Sequence, residues 1–345
     1  MRRVAVLRHA SSRLENFRFG LLRHLLRRLA HALAVVLVAT TASFALLHLA
    51  PGDPITLTVE QPGLDEAARA RLRARYALDR PLPEQYARWV AAAARGDLGW
   101  SHTQQRPVSA VLADALPRSA LLVGTALTLS FVAGVAIGAF AGWRPRHPAA
   151  RLLAAGAVVL HATPEFVLAL LLVATVALRF ALLPAGGYAD PVADALLSPA
   201  EQVADRLRHL VLPAAALALG WTAIVARHQR AALADVANED FVRTARAKGL
   251  SEGRVFGRHA LRASIAPTLA LLGLALPALV GGAVVTESVF AWPGMGLVAT
   301  QAVAARDYAL VTGTVVAGSA AVALGAALAD VLQAWADPRA SRADG

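Results

Sequence analysis

Apolar residues along this chain of 345 residues come in long blocks, with the polar residues gathered between them. A helix needs about 20 mostly apolar residues to cross the hydrocarbon core of a bilayer. Six stretches nearly free of Asp, Glu, Lys and Arg approach or exceed that length, and they predict membrane spans over 29–50, 119–143, 152–179, 209–227, 263–287 and 308–331. The expected fold is all-α and polytopic. Arginines precede the first stretch, as in a signal peptide. Its apolar core is longer than a signal core and five more stretches follow, so cleavage is not expected.

The polar blocks divide the rest. The first span ends in LAPGDP and opens the largest of them, 51–118. There, LDEAARARLRARYALD sets Leu64, Ala68, Leu72 and Tyr76 near helical spacing, and PLPEQYARWVAAAARGDLG reads as a second short helix begun by Pro and stopped by Gly. This block predicts a helical exterior lid. Segments 180–208 and 288–307 are the other exterior loops, the first rich in turn signals. In the second span Gly134, Gly138 and Gly142 repeat every four residues, a ladder that lets helix backbones approach closely in lipid.

Composition agrees with lipid as the solvent. Charged residues make up 17% of the chain, against about 25% in soluble domains, and the mean hydropathy is +0.52. With no cysteine, disulfides, zinc-thiolate sites and thiol catalysis are excluded. The net charge of +11 raises nucleic acid as a partner, but its placement decides otherwise. With both termini cytoplasmic, the interior segments, with Arg227 at the edge of the fourth span counted among them, carry 21 Lys and Arg and the exterior ones 12, of which 9 lie in the long, nearly balanced block 51–118. Long exterior segments weigh little in the positive-inside rule. The charge is therefore membrane topology, and no nucleic-acid partner is expected. Segment 1–28 is a basic cytoplasmic lead-in, suited to anionic lipid or to a frayed tail, and 332–345 is a cytoplasmic tail.

Catalytic motifs are missing. The single lysine, Lys248, stands between Ala247 and Gly249 and makes no phosphate loop. His161 and Glu165 lack the second histidine of a zinc-protease helix, and no Gly-x-Ser-x-Gly elbow is present. No metal site is expected. Two acids stand out in the apolar stretches. A carboxylate at the bilayer centre costs roughly 2.5–3.5 kcal/mol on insertion scales. Glu165, beside the kink-favouring Pro164, reads either as facing a water-filled path or as a neutral acid bonded between helices. Glu287 lies at the exterior end of the fifth stretch, where water is expected to be near; both are candidate pathway residues. Asp330 marks the inner interface of the sixth.

The interior loop 228–262 is basic and helix-friendly. FVRTARAKG reads as a short helix ended at Gly249 in a left-handed cap, and SEGRVFGRHALR as a second with Ser251 as N-cap. Two short helices hinged at a glycine would make a compact knob. Residue types alone favour an ordinary basic loop.

The stretch FVRTARAKGLSEGRVFGRHALR resembles the signature loop of the membrane subunits of bacterial ATP-driven importers, and in particular the dipeptide/oligopeptide/nickel permease family. LAPGDP, LDRPLPEQYARW, GDLGWS, RPVSAVL, LPAGGY, ESVFAWPGMG, ARDY and the final DPR follow in that family's order, over roughly Arg23 to Arg339. Arg243, Thr244 and Ala245 stand where other importers carry a glutamate and two alanines, and Arg262 stands where many have proline. The resemblance implies a type I importer permease fold in the bacterial inner membrane. It implies a second, similar permease subunit, two ATPase subunits that bind ATP and Mg, and an exterior substrate-binding protein. No cofactor or ATP-hydrolysing site belongs to this chain. Residues Arg243, Thr244, Ala245, Arg246, Ala247, Lys248, Gly249, Leu250 and Ser251 would form the coupling helix seated in an ATPase, with Ala245 and Ala247 as its small face. Di- and oligopeptides, glutathione, nickel chelates and haem are the substrates such systems carry. Two other classes compete: an ion-coupled secondary transporter working through Glu165, and an intramembrane enzyme.

Overall fold

In the computed structural model the described residues are 30–46, 49, 80–192, 194 and 196–336. The lead-in, LAPGDP beyond Leu49, the helix expected over 64–79 and the final DPR lie outside them, and the side chains of 273, 274, 276–282 and 328–336, Asp330 among them, are not described. Helices dominate. They are α1 Ala30–Leu46, α2 Leu82–Ala93, α3 Val108–Trp143, α4 Pro148–Ala162, α5 Glu165–Leu172 and α6 Pro199–Val236. After these come α7 Asp240–Ala247, α8 Glu252–Arg254, α9 Arg262–Leu269, α10 Leu272–Val289, α11 Met295–Ala304 and α12 Tyr308–Ala336. The strands among the described residues are two-residue pieces, β1 Trp100–Ser101 antiparallel to β2 Arg106–Pro107.

Among the described residues three helices are long and apolar enough to cross a membrane by themselves, in α3, α6 and α12, and the pair Pro148–Ala162 and Glu165–Arg179 would make a fourth. The helices overrun the apolar stretches. α3 has 36 residues and α6 has 38, about 54–57 Å at 1.5 Å per residue, against roughly 40–45 Å for a whole bilayer. Thus α3 begins inside the block expected to be lid, and α6 takes in the last residues of the exterior loop 180–208 and the first of the interior loop 228–262. A helix runs on into water where its residues favour it, so hydropathy marks the crossing and not the helix end. At the start of α6, Ser198 and Glu201 form a capping box.

Two spans are broken. The third bends by 108° between α4 and α5. Pro164 sits at the break as the N-cap of α5, with φ −57° and ψ 141°, and the expected kink is there in amplified form; beyond Leu172 the chain continues as a π-helix over Val173–Arg179. The fifth span was expected as one helix, but α9 and α10 are separated at Ala270–Leu271. Pro267 lies inside α9 and has no N–H to give the preceding turn. A π-helix, Val255–Leu261, joins α8 to α9. The second helix of the expected knob is therefore not short; it runs from Glu252 straight into the fifth span.

The core centres on α3 against α6. The glycine ladder explains the closeness. A Cβ on Gly134 would stand 2.6 Å from Cβ of Val225, one on Gly138 would strike the Ala226 carbonyl oxygen, and one on Gly142 would stand 2.8 Å from the Arg230 carbonyl. Polar side chains add crosslinks without exposing charge. Gln229 is buried, donating to Ser264 Oγ at 2.9 Å and accepting from Thr268 Oγ1 at 2.7 Å, which ties α6 to α9. In a bilayer such bonds are worth about 0.6–2 kcal/mol each.

Candidate functional site

Three groups of residues occupy distinct places along the bundle. At the Trp143 end of α3, α7 is docked by its own apolar side. Val242 and Ala245 pack with Ala139, Leu233, Val255 and Ala260. Arg246 fixes the hairpin twice, donating from Nε to Glu252 Oε1 at 2.9 Å and lying 5.1 Å over the Trp143 ring. Trp143 in turn meets Phe256 at 5.4 Å. The turn follows from Gly249, whose φ of +76° lies in the left-handed region that a side chain resists. Its N–H donates to the Arg246 carbonyl at 2.9 Å, and the Leu250 N–H to the Ala245 carbonyl at 3.4 Å. Ser251 occupies the N-cap position with its backbone carbonyl accepting, but its side chain makes no cap bond. Arg243, Thr244, Ala247, Lys248 and Ser251 are exposed and Leu250 half-buried. Ala245 is not part of an outward small face: at 4% exposure it is sealed in the bundle, because Val242, Ala245 and the helix period put it on the inner side. Phe241, which the sequence did not single out, is exposed on this hairpin.

Glu165 is the first residue of α5, at the break in the third span. It is half-buried and accepts a hydrogen bond from the hydroxyl of Thr286 on α10. A carboxylate at a helix N-terminus is also favoured by the helix dipole. The acid therefore joins the bent span to α10 while keeping part of its surface open.

The third group lies near the opposite end of α3, about 36 Å from Trp143 if measured from Ser119 at 1.5 Å per residue. Glu287 is wholly buried here, not beside water as expected. It accepts from Ser119 Oγ at 2.5 Å, Gly296 N at 2.6 Å and Leu297 N at 3.1 Å, and so caps the start of α11. Ser119 Oγ also accepts from Met295 N at 2.7 Å. A Cβ on Gly296 would come within 2.9 Å of the Glu287 carboxylate, so the glycine is what admits it. Trp292, fully buried, donates from Nε1 to the Arg118 carbonyl at 3.1 Å. Gly187 N donates to the Phe290 carbonyl at 2.8 Å. Tyr188 meets Trp292 edge-on at 5.2 Å and carries the guanidinium groups of Arg118 and Arg206 at 4.9 and 5.5 Å from its ring centre.

Beside this seam, Asp307 holds the hairpin of β1 and β2 against α12. Its Oδ2 accepts from Ser101 Oγ at 2.7 Å, Thr103 Oγ1 at 2.9 Å and Thr103 N at 3.0 Å, and its Oδ1 from Leu310 N at 3.1 Å. Burial works against ionisation, but the hydrogen bonds from the Thr103 backbone, Ser101, the Leu310 backbone and the Thr103 hydroxyl outweigh it and hold the carboxyl below its ordinary range. The motifs read from the sequence thus bind one another: GDLGWS meets ARDY, LPAGGY meets FAWPG, and Arg118–Ser119 meets both Trp292 and Glu287. Chain order hides these partnerships, which span up to 206 residues.

Comparison with known proteins accounts for this arrangement of motifs. The family of binding-protein-dependent transport system inner membrane components matches residues 134–342, and its N-terminal component matches residues 21–123. A peptide permease protein of Brucella ovis is 37% identical, covering 92% of this chain and 99% of its own length. The oligopeptide transport system permease protein AppB of Bacillus subtilis is 32% identical over 92% of this chain and 98% of its own. The glutathione transport system permease protein GsiC of Salmonella paratyphi A is 34% identical over the same shares. With family matches over both parts and relatives aligned almost end to end, this chain belongs to the binding-protein-dependent transport system inner membrane components, the permease subunits of ABC importers.

Proposed function

We propose that this permease forms half of an inner-membrane pathway for peptides or related small ligands, and that the hairpin from Asp240 to Ser251 is its coupling contact with an ATPase subunit. The observation that carries the coupling role is the mounting of the hairpin. Its inner face is packed onto α3 and α6, while Arg243, Thr244, Ala247 and Lys248 are exposed toward a partner. A push on such a knob moves both helices together, since the cluster and the Arg246 contacts leave no slack hinge between them. This is a rigid-body switch biased by nucleotide bound elsewhere.

The remaining parts follow from that role. The sequence holds no phosphate loop, so ATP and Mg belong to two ATPase subunits. A second, similar permease completes the pathway, and a substrate-binding protein delivers ligand at the seam end. Six spans with both termini cytoplasmic agree with the distribution of Lys and Arg. α1 and the pair α9–α10 supply the two crossings beyond the four that stand out by length and composition. Peptide is the substrate class favoured by the names of the relatives, with glutathione of the same chemistry. Glu165, partly open at the break of the third span, is assigned to the lining of the path; Glu287, sealed as a helix cap, is assigned to structure.

Gly249→Val tests the coupling role. A β-branched residue at φ +76° strains the turn by about 1–2 kcal/mol or more, and no neighbour lies within 4 Å of a Cβ there, so strain is the whole effect. The expected result is normal membrane insertion, reduced uptake, and ATP hydrolysis that no longer responds to the loaded binding protein. Wild-type uptake with normal stimulation would remove the coupling assignment.

A further inference from the structure

Arg118 on α3 and Arg206 on α6 share the ring of Tyr188, with their guanidinium carbons 4.9 and 5.5 Å from its centre. The platform beneath them is fixed. Tyr188 rests on the buried Trp292, the adjoining Gly187 is bonded to Phe290, and Trp292 is bonded to the backbone of Arg118 itself. Aromatic faces attract single cations, but two cations on one ring repel each other unless an anion stands between or beside them. The resident anions Asp194 and Asp114 supply this only in part. Arg206 has Asp194 at 3.5 Å, the outer limit of a hydrogen bond. The carboxylate one turn before Arg118, Asp114, is held by Arg106 at 2.6 Å. Asp205 accepts from the Asp190 backbone and lies 3.4 Å from His209. The Nε of Arg206 is shut off from solvent and has no hydrogen-bond partner among the described residues. That Nε edge is closed to a ligand, so a carboxylate would meet Arg206 at the terminal nitrogens of its side chain, which is 37% exposed, through charge-assisted bonds.

We infer that Arg118 and Arg206, set on Tyr188, form a seat for the carboxylate of the transported ligand at the end of the pathway where substrate is delivered. This rests on the reading of the chain as a peptide permease. Both arginines are half-buried, with stems held in the seam. That setting suits the free end of a small molecule better than an acidic patch on a protein, which would need the guanidinium groups to project. A peptide and glutathione both carry such a carboxylate, so one seat serves either.

The test uses the full complex in proteoliposomes, with the binding protein saturated by a peptide or by the same peptide amidated at its C-terminus. The unsubstituted complex is expected to move the free carboxylate faster. Arg118→Gln and Arg206→Gln should each lower that rate advantage by about tenfold, the loss of one charge-assisted contact, while transport of the amide stays level. Arg206→Lys, which keeps charge but loses the fork, should restore only part of it. The binding-protein concentration that half-stimulates ATP hydrolysis should not move. Equal losses for both peptides would show that the arginines only hold the seam, and a shift in the half-stimulating concentration would assign them to docking of the binding protein; either result overturns the inference, as does an unchanged ratio. Absence of peptide transport by the unsubstituted complex, with intact stimulated hydrolysis, would instead overturn the peptide reading.

Discussion

Asp307 shows how much one buried carboxylate organises. It gathers Ser101, Thr103 and Leu310 around itself, and those bonds hold its titration below the ordinary carboxylate range despite burial. A depressed native value means the ionised form is favoured by folding. Its contribution is complete above the unfolded value, about 3.9, and is lost as pH falls through the lower native one. Replacing it as Asp307→Asn removes an acceptor for donors that stay buried, at a cost of about 2 kcal/mol. The thermal midpoint of the purified protein should drop for this variant at neutral pH, and the gap from the unsubstituted protein should narrow below about pH 4. A gap that holds constant down to pH 3 would show that charge on Asp307 is unimportant. The sequence made ARDY visible as a motif but not its partner, because Ser101 lies 206 residues away. Glu287 was misread for the same reason. Its position predicted water, and only the fold brings Ser119 and the start of α11 around it.

At the scale of elements, the short-range signals were the legible ones. Pro164 announced the break of the third span, Gly249 announced a left-handed turn, and the glycine ladder announced close packing, all from local chemistry. The break between α9 and α10 had a local signal in Pro267 that the reading of a single span passed over, whereas the two π-helices had none, since a wide turn depends on what the surrounding helices demand. α7 gives the sharpest case. Its two alanines look alike in sequence, yet Ala245 is sealed against Val242 and Leu233 while Ala247 is exposed. Ala245→Leu should therefore overpack the cluster, at about 1–3 kcal/mol, and lower the amount of folded permease. Ala247→Leu should leave folding unchanged and weaken copurification of the ATPase subunits. If both variants behaved alike, the division of α7 into an inner and an outer face would be refuted.

For the whole molecule, the two ends of α3 do different work. The Trp143 end carries the α7–α8 hairpin through packed apolar contacts, and the Ser119 end carries the seam through buried hydrogen bonds. The intervening length of α3 and α6 is zipped by Gly134, Gly138 and Gly142, which allow little relative slip. If the hairpin is the coupling contact, force applied there would be delivered to the seam, where Arg118 is anchored by Trp292 and Tyr188. This arrangement requires the two ends to face opposite sides of the membrane, with α7 on the side rich in Lys and Arg. The chain has no native cysteine, so single cysteines report cleanly. Ala91 on α2 and Ala247 after Arg246 are both exposed. A membrane-impermeant thiol reagent applied to intact cells should label Ala91→Cys at once, and Ala247→Cys only after the membrane is opened. Labelling of both from the outside would place hairpin and seam on one face, and no ATPase could then drive the pathway through α7.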